Sequence, residues 1–230
     1  MIQEKYELWT DFDGTAVAGC DLRNLSKRLL RDMPGFGDFL RGVQSSQGGE
    51  DKPDARVEVA GILTMRPRIL KRFTTREIKR HGLREHFSSE SQLFHVGRER
   101  PKAEFLVARS ENARIGMLED GPHRLAHNIL NILATQENMT KTAERSILLG
   151  VVKHHKSQAY IDEFLNSSRK NFGDSVLSEF DYEADEGLTS TGHRIKIGRA
   201  TLEVVQLAKY SEVSGRCFGN MLLGNSAPEL

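Results

Sequence analysis

Near the start of the chain, Tyr6-Glu7-Leu8-Trp9 alternates aromatic or apolar with polar side chains, which predicts a short strand. Val57 to Leu63 is an apolar run broken only by Glu58; it predicts the most deeply buried strand and stops at Thr64. Leu93 to Val96, Arg114 to Leu118 and Ser146 to Val152 predict three more strands. Between these runs the apolar period lengthens to that of a helix. After Pro34 it places Phe36, Phe39, Leu40 and Val43 on one face. Further helices are expected from about Arg66 to His81, from Pro101 to Arg109, and around Leu125, Ile129, Leu130 and Leu133. Asp21 has the chemistry of an N-cap for a helix carrying Leu22, Leu25, Leu29 and Leu30. Strand and helix in alternation predict an α/β fold, its sheet mostly parallel and covered on both faces.

After Val152 the periodicity weakens. A helix near Ser157 to Phe172 and strands within Arg194 to Gln206 are expected, with Asp181 to Glu186 as an acidic loop. The reading is a core over 1–152 and a C-terminal extension over 153–230 packed on it.

Composition narrows the function classes. The 230 residues are 38% hydrophobic and 28% charged, with net charge +1, so no chain-wide basic surface speaks for nucleic acid or a membrane. The clusters Arg66-Pro67-Arg68 and Lys71-Arg72 read as a solvated helix face. Cys20 and Cys217 form neither a disulfide framework nor a metal-binding pattern. With no long apolar run and no secretory leader, the expectation is a cytoplasmic protein without a membrane partner.

The chemistry concentrates at Asp11-Phe12-Asp13-Gly14-Thr15, where Gly14 permits a sharp exit from the first strand. Residues at i and i+2 of a strand point the same way, and two carboxylates side by side raise each other's pKa unless a cation lies between them. Mg²⁺ suits such a pair. Other strand ends also carry polar groups: Thr64 after the buried strand, Lys102 at a helix start, and Glu119-Asp120 after Arg114 to Leu118. A lysine there opposes the helix dipole, which favours anions, so an anionic ligand or carboxylate group is expected opposite it.

The set resembles the haloacid dehalogenase-like (HAD) hydrolase superfamily. The DxDGT pattern matches Asp11 to Thr15; the Ser or Thr after an apolar strand matches Thr64; the lysine matches Lys102; and the acidic pair matches Glu119-Asp120. The resemblance implies a Rossmann-like three-layer sandwich and a phosphatase working through an aspartyl-phosphate. Asp11 would be the nucleophile and Asp13 the acid/base. Thr64 would bind a phosphoryl oxygen and Lys102 would balance charge. Mg²⁺ would be held by Asp11, the Asp13 backbone, Glu119 and Asp120. Gly14, Thr15, Met65 and Arg66 would line the substrate site. An acid at position 13 favours phosphate over halide chemistry within the family.

One departure stands out. Many members carry another acid four or five residues after the metal-binding Asp, where this chain has Arg124 and Leu125. The segment 16–54 and the stretch between Thr64 and Lys102 are short, which implies a small cap or flap and an open site. The expected partner is a phosphorylated substrate of undetermined class. A phosphotransferase or nucleic-acid end phosphatase with the same site is an alternative, as is a weakly active binding protein. His154-His155 lack a third ligand at metal-site spacing.

Overall fold

A computed structural model describes residues 4–18, 31–137, 144–152 and 156–225. The expected helix behind Asp21 lies outside these residues. Ten strands and six α-helices are described: β1 (Lys5–Thr10), β2 (Val17–Ala18), β3 (Arg31–Asp32), α1 (Phe36–Ser45), β4 (Val57–Thr64), α2 (Lys71–Arg80), β5 (Leu93–His95), α3 (Glu99–Arg109), β6 (Ala113–Glu119), α4 (Pro122–Glu137), β7 (Arg145–Val152), α5 (Ser157–Phe172), β8 (Leu177–Asp185), β9 (Leu188–Ile197), β10 (Ala200–Leu207) and α6 (Glu212–Leu223).

Eight strands form one sheet in the order β5-β4-β1-β6-β7-β10-β9-β8. Neighbours from β5 to β10 are parallel, and β9 and β8 continue antiparallel. The α/β architecture and the mostly parallel sheet expected from the sequence are therefore present. From β1 the chain steps outward to β4 and β5, then returns to the other side of β1 for β6 and β7. The helices change face where the direction reverses: α1, α2 and α6 contribute to one buried cluster, and α3, α4 and α5 to the other. Right-handed crossovers require that change.

The strands form where apolar side chains fill both faces. In β7, Ile147, Leu148, Leu149 and Val151 are all fully buried, as a parallel central strand demands. Trp9 of β1 meets Phe94 and Phe105 edge-to-face at 5.3 and 4.9 Å, locking α3 against the sheet. On the opposite face α6 lies directly on α1. A Cβ on Gly42 would come within 2.0 Å of the Glu212 carbonyl oxygen, and one on Gly215 within 2.0 Å of that of Phe39. Only glycine allows backbones this close.

Two expectations are corrected. Asp181 to Asp185 lie in β8 and are not a loop. Phe180, Tyr182 and Ala184 turn toward the core while Asp181 and Glu183 face solvent, so the acids mark a strand's exposed face. The helix expected from Arg66 begins at Lys71, after a 3₁₀ turn over Arg68–Leu70. Arg66 and Pro67 are extended or turning because Arg66 is drawn inward by its contacts, described below. Residues after 152 also continue the main structure: β10 pairs with β7 along its length, from Ala200 with Arg145 to Leu207 with Val152. Among the described residues, no helix is long and apolar enough to cross a membrane.

Candidate active site

Thr10 pairs with Ile62 on one side and with Leu118 on the other. The register therefore brings the carboxyl ends of β1, β4 and β6 to one level, with Thr64 and Glu119-Asp120 flanking Asp11. The Asp11 amide donates to the Leu118 carbonyl at 2.9 Å, extending the pairing one residue past β1. This is also where the strand order reverses, the crevice in which open α/β sheets bind ligands.

The turn after Asp11 is fixed by its own backbone. Gly14 N–H donates to the Val17 carbonyl at 2.8 Å, and the Ala16 and Val17 amides donate to the Phe12 carbonyl at 3.1 and 3.0 Å. Gly14 has φ +80°, and a Cβ there would stand 2.0 Å from Asp120 Oδ2. Glycine is needed twice over at this position, for the left-handed backbone and for the contact with Asp120. The two-stranded β2–β3 sheet follows as a small flap.

Asp11, Glu119 and Asp120 converge, each offering a carboxylate oxygen within 4.8 Å of the others, a group able to hold a metal ion. Lys102 enters from α3 with 0% exposure; its ammonium donates to Asp11 Oδ1 at 2.9 Å and to Glu119 Oε2. The carboxylate group expected opposite this lysine is therefore present. Burial alone would lower the lysine's pKa, but Glu119 and Asp11 more than offset that and hold it above its ordinary range. Glu119 feels the same burial in the opposite sense, yet Lys102 keeps it below the usual carboxylate value. Burial pushes Asp11 up to about 8 against the pull of Lys102, with Glu119 adding to the rise. Burial and Glu119 push Asp120 up to about 7. One ammonium thus serves two buried carboxyls and the half-buried Asp120, leaving the group short of positive charge.

Asp13 stands apart from that group. Its carboxylate receives a two-pronged contact from Arg66, Nε to Oδ2 at 2.7 Å and NH2 to Oδ1 at 2.5 Å. Arg66, expected both in a solvated basic cluster and at the substrate site, is buried and lies beside Asp13. Its guanidinium lies 4.5 Å from the Phe12 ring centroid and 5.4 Å from that of Phe73. Thr64 Oγ1 accepts the Arg66 backbone N–H at 3.2 Å, and the His95 ring Nδ1 donates to the Arg66 carbonyl at 3.1 Å. Thr64 is thus linked to Asp13 through Arg66. Thr15 Oγ1 is buried without a partner among the described residues, and Met65 is exposed.

Two residues at the site were missed from the sequence. Glu99 begins α3, and its Oε2 is buried without a partner among the described residues; burial, then Glu119, raise its pKa. Its place three residues before Lys102, on the same helical face, was a readable signal. Tyr210 donates from its hydroxyl to the Thr15 carbonyl at 3.3 Å and packs edge-to-face on Phe36 and Phe39. Burial and the fields of Asp120, Asp11 and Glu119 raise its pKa. Nothing local marks it. Glu7, also buried, is a structural acid: Arg109 and the Trp9 indole hold it at the opposite end of β1.

Compared with known proteins, the chain matches no family model, no curated protein and no solved structure.

Proposed function

We propose that the chain is a Mg²⁺-dependent phosphatase that hydrolyses a phosphomonoester through an aspartyl-phosphate on Asp11, on a Rossmann-like sheet of the HAD type. The observation that carries this reading is the meeting of Asp11, Lys102, Glu119 and Asp120 at the point where the strand order reverses. The donor set fits the cation: three carboxylate oxygen donors, two buried and one half-buried, and together under-neutralised, suit a hard divalent ion. Bound by Asp11, Glu119 and Asp120, Mg²⁺ would supply the positive charge that lets the acids ionise and a phosphate approach.

Asp11 then attacks phosphorus, and the bond to the ester oxygen breaks. Asp13 would protonate that leaving oxygen, which requires it to trade part of its Arg66 contact for the substrate and to take up a proton from water first. In the second step Asp13 takes a proton from water, which attacks phosphorus and frees Asp11. Lys102, fixed between Asp11 and Glu119, orients the nucleophile and offsets charge as the phosphoryl group transfers. Thr64, whose Oγ1 already accepts the Arg66 N–H, and Thr15, whose buried Oγ1 has no partner among the described residues, are the hydroxyls available to phosphoryl oxygens.

An aryl-phosphate assay with and without Mg²⁺ tests the reading. We expect metal-dependent turnover, abolished in Asp11→Asn and reduced about 10²- to 10⁴-fold in Asp13→Asn, the range of a lost acid/base. Full activity in Asp11→Asn would exclude it as nucleophile.

A further inference from the structure

We infer that the outer face of α2 and the turn before it are a docking surface for a single-stranded nucleic acid, which delivers a terminal phosphate to the neighbouring carboxylate site. The inference rests on the phosphatase reading for its last clause only. Residues 66–80 carry seven Arg or Lys and one Glu in a chain whose net charge is +1, so the rest of the molecule is net acidic. The single acid, Glu77, is buried and faces His81. Arg68, Arg72, Arg76, Lys79 and Arg80 are exposed, and no described residue forms a salt bridge with any of them. Some exposed cations elsewhere are paired, as Arg41 is with Glu85 and Arg100 with Glu104, each at 3.0 Å, and others such as Lys5, Arg84 and Lys196 stand singly among the described residues. Five within one short segment is what sets this stripe apart.

The stripe leads into the site. It starts directly after Thr64, and Arg66 at its head grips Asp13. From there α2 runs about 15 Å, enough to follow several phosphates. Apolar side chains interleave with the charge on the same face: Ile69 is 89% exposed, and Phe73 and Met65 are also uncovered. Bases pack on such side chains while arginine forks grip phosphates. An anionic membrane would meet the same charge. However, the Phe73 ring is held against Arg66, which leaves Ile69 and the less exposed Met65 as the large apolar side chains free to enter a bilayer, a small apolar area beside five cations. The surface therefore fits a polyanionic strand better.

The test uses single-stranded 12-mers with a 5′- or 3′-phosphate, measuring phosphate release and, with Asp11→Asn, fluorescence anisotropy. Five cations without a salt-bridge partner among the described residues, at about 0.7 counterions each, give a log–log salt slope of about −3.5, so oligonucleotide affinity falls about 100-fold from about 50 to 200 mM salt. In Arg72→Gln/Arg76→Gln/Arg80→Gln the slope drops by about 2 while aryl-phosphate turnover is unchanged. If oligonucleotides bind no better than the aryl phosphate, or the triple variant keeps the full slope, the docking inference is overturned and the reading of the site stands. Binding with the expected slope but no hydrolysis of any phosphate upholds the surface and overturns the reading of the site. Phosphatidylserine vesicles that displace the 12-mers at lower charge concentration overturn the choice of occupant.

Discussion

The shortage of positive charge around Asp11 makes the fold's stability depend on pH, and on Mg²⁺, in a direction that is unusual for carboxylates. Folding raises Asp11 from 3.8 to about 8 and Asp120 from 3.8 to about 7. Both acids hold protons more tightly folded than unfolded. Their stabilising contribution is full below about pH 4 and is lost as pH climbs through 7 and 8. At about 1.4 kcal/mol per pKa unit the pair would change stability by an amount comparable to the whole fold's about 5–15 kcal/mol. Water entering beside the half-buried Asp120 relieves part of this, and we expect a loss of about 3 kcal/mol between pH 5 and pH 8 without divalent cation. Mg²⁺ should restore most of that loss at pH 8 and add little at pH 5, where protons already neutralise the group. Urea midpoints at the two pH values, in EDTA and in Mg²⁺, measure all four quantities. Stability that is flat or rising from pH 5 to pH 8 in EDTA would refute the argument, as would equal stabilisation by Mg²⁺ at both.

Two substitutions probe the same geometry from other sides. Lys102→Met leaves Asp11 and Glu119 buried without their counter-ion, so turnover should vanish and stability at pH 8 should fall by about 3–5 kcal/mol. The loss should be smaller at pH 5, and an unchanged urea midpoint at pH 8 would contradict it. Gly14→Ala forces a Cβ into Asp120 at positive φ, so Mg²⁺ affinity measured by calorimetry should drop about 10-fold or more while the chain still folds.

Much of this was legible locally. β4, β6, β7 and α5 were read with boundaries within a residue or two, because each buries a face whose period is written in consecutive residues. The candidate site was legible for a related reason: Asp11, Thr64, Lys102 and Glu119-Asp120 each stand where an apolar run ends or a helix begins. β8 was misread because its acids suggested a loop, although their alternation with Phe180, Tyr182 and Ala184 was the strand's own period. Glu99 carries no strand-end or motif signal of its own, only its i, i+3 spacing to Lys102.

What the sequence determined by itself is the alternation of strand and helix and the residue types able to do chemistry at each junction. Those follow from side-chain period and turn preference, which act over a few residues. Tertiary structure alone decided which junctions meet. Sheet order puts β6 beside β1, so Glu119 and Asp120 reach Asp11, whereas Lys102 arrives from a helix on the face that Trp9 packs. It also set Arg66 against Asp13, brought Tyr210 over the site from far along the chain, and joined β10 to β7. Such contacts depend on register and close packing between distant segments, and no local pattern encodes them.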